Sequence, residues 1–234
     1  MTLPIIRVHW LNESRAFRVL WLLDHLKLDY EIIPYMRNEG FRAPDELKKI
    51  HPLGRSPLLE LEDKHTGKKK VLAESGYIFN YILKHFDSTN LLGNSDPDMA
   101  EQIEYYLYYS EGSLQPPLMI EFLLSMVKKA PIPFPISYLA GKITDKISDK
   151  YSKGEVKNQL EFIDAELVKN RGYLVDGKLS GADIMLSFPL QMAFSRGFAT
   201  KEAYPNIHRW LEDITSTESY SSTKKKANSY GGKF

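Results

Sequence analysis

Hydrophobic periodicity changes once along this chain, near residue 87, and nothing else in the sequence constrains the fold as tightly. Before that point, strand-like runs interleave with helical stripes. Ile5 to Trp10 reads as a strand, Arg15 to Leu26 as a helix apolar on several sides, and Asp29 to Tyr35 as strand again, which makes a βαβ unit. A weaker helical piece covers Ala43 to Ile50. Pro57 to Leu61 and Lys69 to Leu72 then flank the polar turn Asp63 to Lys68 as an antiparallel hairpin. Ser75 to Phe86 carries Ile78, Phe79, Ile82, Leu83 and Phe86 along one helical stripe. Residues 87–97 are rich in Ser, Asn, Asp, Gly and Pro and break every period. Beyond them only helical patterns recur, over Asp98 to Val127, Pro135 to Lys150, Lys153 to Lys169, Gly181 to Phe194 and Pro205 to Ile214. The pattern predicts an α/β domain of order βαβαββα over residues 1–88, a linker over 89–97, and an all-α domain over 98–234. The tail from Thr217 is polar and basic and is expected to be loosely ordered.

Composition removes whole classes of function. Lys and Arg number 31 against 30 Asp and Glu, so there is no cationic surplus of the kind that a nucleic-acid backbone demands. Cys is absent, which excludes disulfide frameworks, Cys-based metal sites and Cys nucleophiles together. Any sulfur chemistry must therefore arrive with a ligand. The six His residues show no metal-type spacing, and no metal is expected. The first residues mix Pro4, Arg7 and His9 with apolar side chains, unlike a signal or transit peptide, so the expected compartment is the cytoplasm. Leu118 to Val127 is the most apolar stretch, but it is shorter than the roughly 20 residues a span needs and Glu121 interrupts it.

Several local motifs carry a physical mechanism. In Leu179-Ser180-Gly181-Ala182-Asp183-Ile184 the Ser and the Asp three residues on form a helix-start capping pair, which is a folding device. Pro57, after Ser56, stands where a strand begins, a position that suits an edge proline or a cis bond. Glu74-Ser75 and Asn12-Glu13-Ser14-Arg15 each stand where a strand turns into a helix, and a helix start offers unpaired amides and the positive end of a dipole to an anion. A hydroxyl there can donate to an anion, and the field favours an ionised thiol. Tyr105, Tyr106, Tyr108 and Tyr109 crowd one helix, where helix packing accounts for them without a function.

Taken together, these features resemble the glutathione transferase superfamily over nearly the whole chain. His9 to Leu23 is similar to fungal transferases of the GTT type and their bacterial relatives. His51-Pro52-Leu53-Gly54-Arg55-Ser56-Pro57 resembles the loop before the family's cis-proline, Glu74-Ser75 its acidic-Ser pair, and Pro205 to Leu211 its last long helix. The resemblance implies a thioredoxin-like α/β N-terminal domain that binds glutathione and an all-α C-terminal domain that shapes a site for a small hydrophobic electrophile. It implies that Ser56, beside Pro57, pairs with the cysteinyl part of glutathione, and that Glu74 and Ser75 hold the γ-glutamyl end. Arg55 then meets the glycyl carboxylate with help from His51. Ser14 is the expected thiolate-stabilising hydroxyl, with Arg15 and Arg18 supplying positive field. Tyr105, Tyr109 and Met119 are acceptor-site candidates, the two tyrosines also being alternative hydroxyls. Glutathione is the implied co-substrate, conjugation the implied reaction, and a homodimer the implied assembly. Peroxidase or isomerase activity on the same thiolate, or a non-catalytic regulatory or assembly role, are the alternatives. Peripheral association with an internal membrane such as the endoplasmic reticulum is a further expectation, drawn from the apolar Leu118 to Leu139 region with its prolines and nearby lysines.

Overall fold

β1 (Ile5–Leu11) alternates in a way that places it inside a sheet: Ile6, Val8 and Trp10 are buried, and Arg7 between them meets carboxylates on both neighbouring strands. In the computed structural model, which describes residues 3–232, the strand order is β2-β1-β3-β4, with β2 at Glu31–Tyr35, β3 at Leu58–Glu62 and β4 at Lys69–Ala73. β1 runs parallel to β2 and antiparallel to β3, and β3 pairs with β4 as the predicted hairpin. The register sets Arg7 opposite Glu31 and Glu60, so its guanidinium donates to Glu31 at 2.8 Å, Glu60 at 2.9 Å and Glu62 at 2.6 Å. Helix α1 (Ala16–His25) is the crossover from β1 to β2, and its apolar run is buried on more than one side. Helix α2 (Ser75–Phe86) follows β4. The middle helical piece is only a 3-10 turn over Asp45–Lys49, because its charged residues leave Leu47 as the one buried anchor.

The chain divides into two compact units whose bounds differ from the predicted 1–88, 89–97 and 98–234. Residues up to Glu101 form one unit together with those from Asp213 onward, whereas Gln102–Glu212 forms the other. The chain's end belongs with the α/β sheet because it is helical, not loose. Helix α9 (Glu218–Ser229) packs along α1: Tyr220 meets the rings of Phe17 and Trp21 edge-on at 5.4 and 5.0 Å. Trp21 Nε1 donates to Ser219 Oγ at 3.0 Å, and Asp24 accepts from Thr223 Oγ1 at 2.7 Å and from Lys226 Nζ at 2.6 Å. One tyrosine and several polar side chains form this seam, so residues that read as a solvated tail are the ones that anchor it.

The second unit is helical, as predicted. Helix α3 (Pro97–Tyr109), which begins in the first unit, continues through a π-helical segment, Ser110–Leu114, into α4 (Gln115–Lys129). Likewise α5 (Ile136–Ile147) runs through Ser148–Ser152 into α6 (Lys153–Lys169). Helix α7 (Gly181–Ser195) is buried nearly all round, and α8 (Pro205–Thr215) follows. The capping Asp183 is fully buried and accepts four hydrogen bonds: from the Ser180 amide at 2.9 Å, Ser180 Oγ at 2.7 Å, the Leu174 amide at 3.1 Å and Trp210 Nε1 at 2.8 Å. The expected capping residue thus also ties α7 to α8. Helix α5 is turned the other way from an ordinary amphipathic helix. Its small polar face, with Thr144 and then Ser148, is buried, while Ile136, Leu139, Ile143 and Ile147 are exposed.

Candidate functional site

The residues expected at the two strand-to-helix corners do come together, within the first unit. Loop residues 51–57 close against the end of β1 through Ser56, whose hydroxyl donates to the His9 carbonyl at 2.9 Å and accepts from the Leu11 amide at 3.2 Å. The Ser56–Pro57 peptide is cis, which was one of two readings the sequence left open. Gly54 has φ +57° and a Cβ there would sit 2.6 Å from Lys48 Cγ, so only glycine makes this approach without displacement. His51 is half-buried, and its Nδ1 accepts from the Leu53 amide at 3.3 Å, bracing the loop. Arg55 is exposed.

At the second corner, Ser75 is buried as the first residue of α2, preceded by exposed Glu74 at φ +72°. A non-glycine residue in that region is uncommon outside functional or strained positions. Arg18, wholly buried on α1, donates from Nη2 to Ser75 Oγ at 3.3 Å, so a cation lies behind the start of α2. A helix start with a buried guanidinium beneath it favours a carboxylate-bearing ligand. Arg15, next to Ser14, is half-buried.

The first corner differs from expectation in one respect. Ser14 Oγ donates to the Leu11 carbonyl at 2.7 Å and accepts from the Ala16 amide at 3.2 Å, and the residue is 5% exposed. Serine carries a single hydroxyl proton, so this one is committed to the turn. Two residues that sequence reasoning passed over complete the corner. The Arg37 amide donates to Asn12 Oδ1 at 2.8 Å, and the Arg37 guanidinium donates to the Asn12 carbonyl at 3.2 Å and the Glu13 carbonyl at 3.1 Å. The sequence places Asn12 in the corner, but its amide carries no hydroxyl to mark it as a thiolate partner. Arg37 follows β2, and only the parallel pairing of β1 with β2 brings it near.

Behind this corner, His9 is buried with Nδ1 3.0 Å from the Tyr35 hydroxyl and Nε2 3.8 Å from Glu60. Burial pushes its imidazole below the ordinary histidine range, against the opposing pull of Glu60.

The acceptor-site candidates belong to the second unit. Tyr105 is half exposed and stacks on Tyr109 with ring centroids 5.8 Å apart. Tyr109 is buried, donates its hydroxyl to Gln159 Oε1 at 2.6 Å, and is pushed above the usual tyrosine range by burial and by Tyr105. Its proton is engaged inside the helical unit, which does not suit the alternative hydroxyl role. Met119 is half-buried on α4.

Comparison with known proteins identifies the family. Residues 3–84 match the family model for the glutathione S-transferase N-terminal domain, and residues 114–218 match that for its C-terminal domain. The chain is 67% identical to Glutathione S-transferase 1 of Saccharomyces cerevisiae over 234 residues, covering all of both chains. Among solved structures it resembles a glutathione S-transferase from Actinobacillus pleuropneumoniae, at 31% identity and TM-score 0.74, over 96% of this chain and 93% of that one. The URE2P8 glutathione transferase of Phanerochaete chrysosporium, solved with oxidized glutathione, shares the fold at TM-score 0.76 and 17% identity, over 99% of this chain and 98% of that one. With both domain models matched in order and a full-length relative at this identity, the chain belongs to the glutathione S-transferase family.

Proposed function

We propose that the protein is a glutathione transferase that joins the sulfur of glutathione to small hydrophobic electrophiles, and that it reduces hydroperoxides on the same thiolate. The observation that carries this reading is the presence in one unit of the Ser56–Pro57 loop, bound to the end of β1, and the anion-favouring Ser75 helix start backed by Arg18. Glutathione is a tripeptide with a carboxylate at each end and a thiol between. Ser56 offers its backbone to the cysteinyl residue, Glu74 and Ser75 take the γ-glutamyl end, and exposed Arg55 reaches the glycyl carboxylate with His51 bracing its loop. A free thiol with a pKa of about 8.5 is only a few per cent ionised at neutral pH, so favouring the thiolate is the catalytic task. Calorimetry with glutathione, followed by conjugation of chlorodinitrobenzene, tests the proposal. Binding with turnover is expected. Binding without turnover would leave a non-catalytic module, and no heat of association on folded protein would overturn the reading. A homodimer in the cytoplasm belongs to the same proposal, and sedimentation velocity checks the dimer.

Peripheral membrane association is a second reading, favoured by the α4–α5 hairpin. Phe134 at its turn is 82% exposed, with Ile136, Tyr138 and Leu139 beyond it about 60% exposed each. Lys128, Lys129, Lys142 and Lys146 follow on the two helices, and the only acid among the flanking residues Lys128–Lys146 is Asp145, bound to Lys128 at 2.5 Å. An apolar tip under a basic collar suits an anionic lipid surface. No helix among the described residues is long and apolar enough to cross a membrane. Co-sedimentation with vesicles containing phosphatidylserine, against phosphatidylcholine alone, tests this; equal failure to bind both removes it.

A further inference from the structure

Resting on the transferase reading, we propose that the hydrogen bond to the glutathione sulfur comes from the side-chain amide of Asn12, with Arg37 as its positioning residue. The orientation of the amide is fixed by its partner. A backbone N–H requires an acceptor, and the Arg37 amide lies 2.8 Å from one side-chain atom of Asn12, which must therefore be the oxygen. Nδ2 is then the opposite arm of a held amide. It has no acceptor among the described residues, and Asn12 is nine-tenths buried at the corner.

The carbonyls of the same turn are all occupied. Leu11 O accepts from Ser14 Oγ at 2.7 Å, Asn12 O from Arg37 Nε at 3.2 Å, and Glu13 O from Arg37 Nη2 at 3.1 Å. Three oxygens that would otherwise repel an anion are bound to donors, two of them on one guanidinium. What the corner still offers is an N–H. Asn12 directly follows Leu11, whose amide donates to Ser56 Oγ at 3.2 Å, so the chain carries the donor's residue straight on from the point where the loop that takes the cysteinyl residue in the proposed pose is bound. A preorganised donor aimed at developing or resident negative charge is the usual means of stabilising it. In the reaction, the thiol proton leaves to solvent as Asn12 Nδ2 bonds the sulfur. The thiolate then forms the C–S bond with the electrophile, and chloride departs with its electron pair when chlorodinitrobenzene is the probe.

The test follows the ultraviolet thiolate absorbance of bound glutathione against pH, beside calorimetric affinity and turnover. Asn12→Ala is expected to raise the pH at which the bound thiolate forms by about one unit and to cut turnover at neutral pH by on the order of 10- to 100-fold, with affinity changed only a few-fold. Asn12→Asp keeps the oxygen that the Arg37 amide needs and sets a carboxylate where Nδ2 was, so it guards against misfolding; it is expected to shift the titration further in the same direction. Arg37→Ala is expected to move the titration the same way but less, and to add little on top of Asn12→Ala, as coupled residues do. Ser14→Ala is expected to lower the unfolding midpoint and leave the thiolate titration in place. A titration that moves with Ser14→Ala and not with either Asn12 variant overturns the assignment. If the unaltered protein binds no glutathione, the transferase reading itself falls, an outcome that calorimetry separates from the first.

Discussion

His9 and Asp183 show how single residues are settled by burial against partners. Burial lowers the pKa of both His9 and His25, in each case against the pull of a nearby carboxylate, Glu60 and Asp87 respectively. Between the lowered folded value and the ordinary value near 6.5, the unfolded chain binds a proton that the folded chain refuses, so stability rises with pH there. Unfolding free energy is therefore expected to fall as pH drops below about 6.5, by at most ~1.4 kcal/mol per pH unit for each histidine. Urea titrations at several pH values check this, and a His9→Gln, His25→Gln double variant should flatten the slope. Glu60 and Glu62 are held below the ordinary carboxylate range by Lys69 and Arg7, for Glu60 against the opposing cost of burial, so their loss belongs to a lower and separable window. Asp183 is a stronger case. Burial raises its pKa while four donors pull it back, and removing the carboxylate leaves those donors unmet. Asp183→Ala is expected to cost about 3 kcal/mol or more in chemical denaturation.

At the scale of the element, α5 and α9 are the helices whose sequence reads against their position. The apolar stripe of α5, at Ile136, Leu139, Ile143 and Ile147, is the pattern of a helix buried by that face, yet the face is exposed and the small Thr144 side is the one packed. Ile143→Ser should thus change stability by no more than ~0.5 kcal/mol, whereas Thr144→Asp should destabilise by more than 1 kcal/mol. Equal effects in thermal melts would contradict that orientation. The same patch carries the proposed membrane contact, so Leu139→Ser should weaken vesicle binding without altering the melt. Helix α9 presents the opposite mismatch. Glu218–Ser229 has little apolar content, but Ser219, Tyr220, Thr223 and Lys226 each meet a partner on or near α1. Tyr220→Ala is expected to cost about 2 to 4 kcal/mol, since it strips an aromatic contact from Phe17 and Trp21.

For the whole molecule, the consequence is that the unit built on the α/β sheet is discontinuous in sequence. Residues up to Glu101 lack α9, and without it the buried face of α1 at Trp21 loses its cover. A fragment ending at Glu101 is expected to bind hydrophobic dyes and unfold without cooperativity. Joining residues 213–234 back to it through a flexible linker should restore a cooperative melt. A well-folded short fragment would show that α9 is dispensable. The route by which the chain returns also means that a truncation far in sequence from the two corners of the candidate site should perturb them.

Read from the residues alone, periodicity placed the strands and, apart from α9, the α-helices of the described residues to within a few positions, because amphipathic burial is a local property of the sequence. The capping aspartate and the corner at residues 12–15 were legible for the same reason, each being a short-range device whose residue types state its geometry, whereas the residues left Pro57 open between an edge proline and a cis bond and only the resemblance pointed to the loop before it. What the tertiary structure alone decided were the relations between distant residues. Whether Ser14's proton is available depends on the Leu11 carbonyl, the orientation of Asn12 depends on Arg37 across the β1–β2 pairing, and the order of the tail depends on polar partners along α1. A hydrogen bond has two ends, and a sequence shows only one of them at a time.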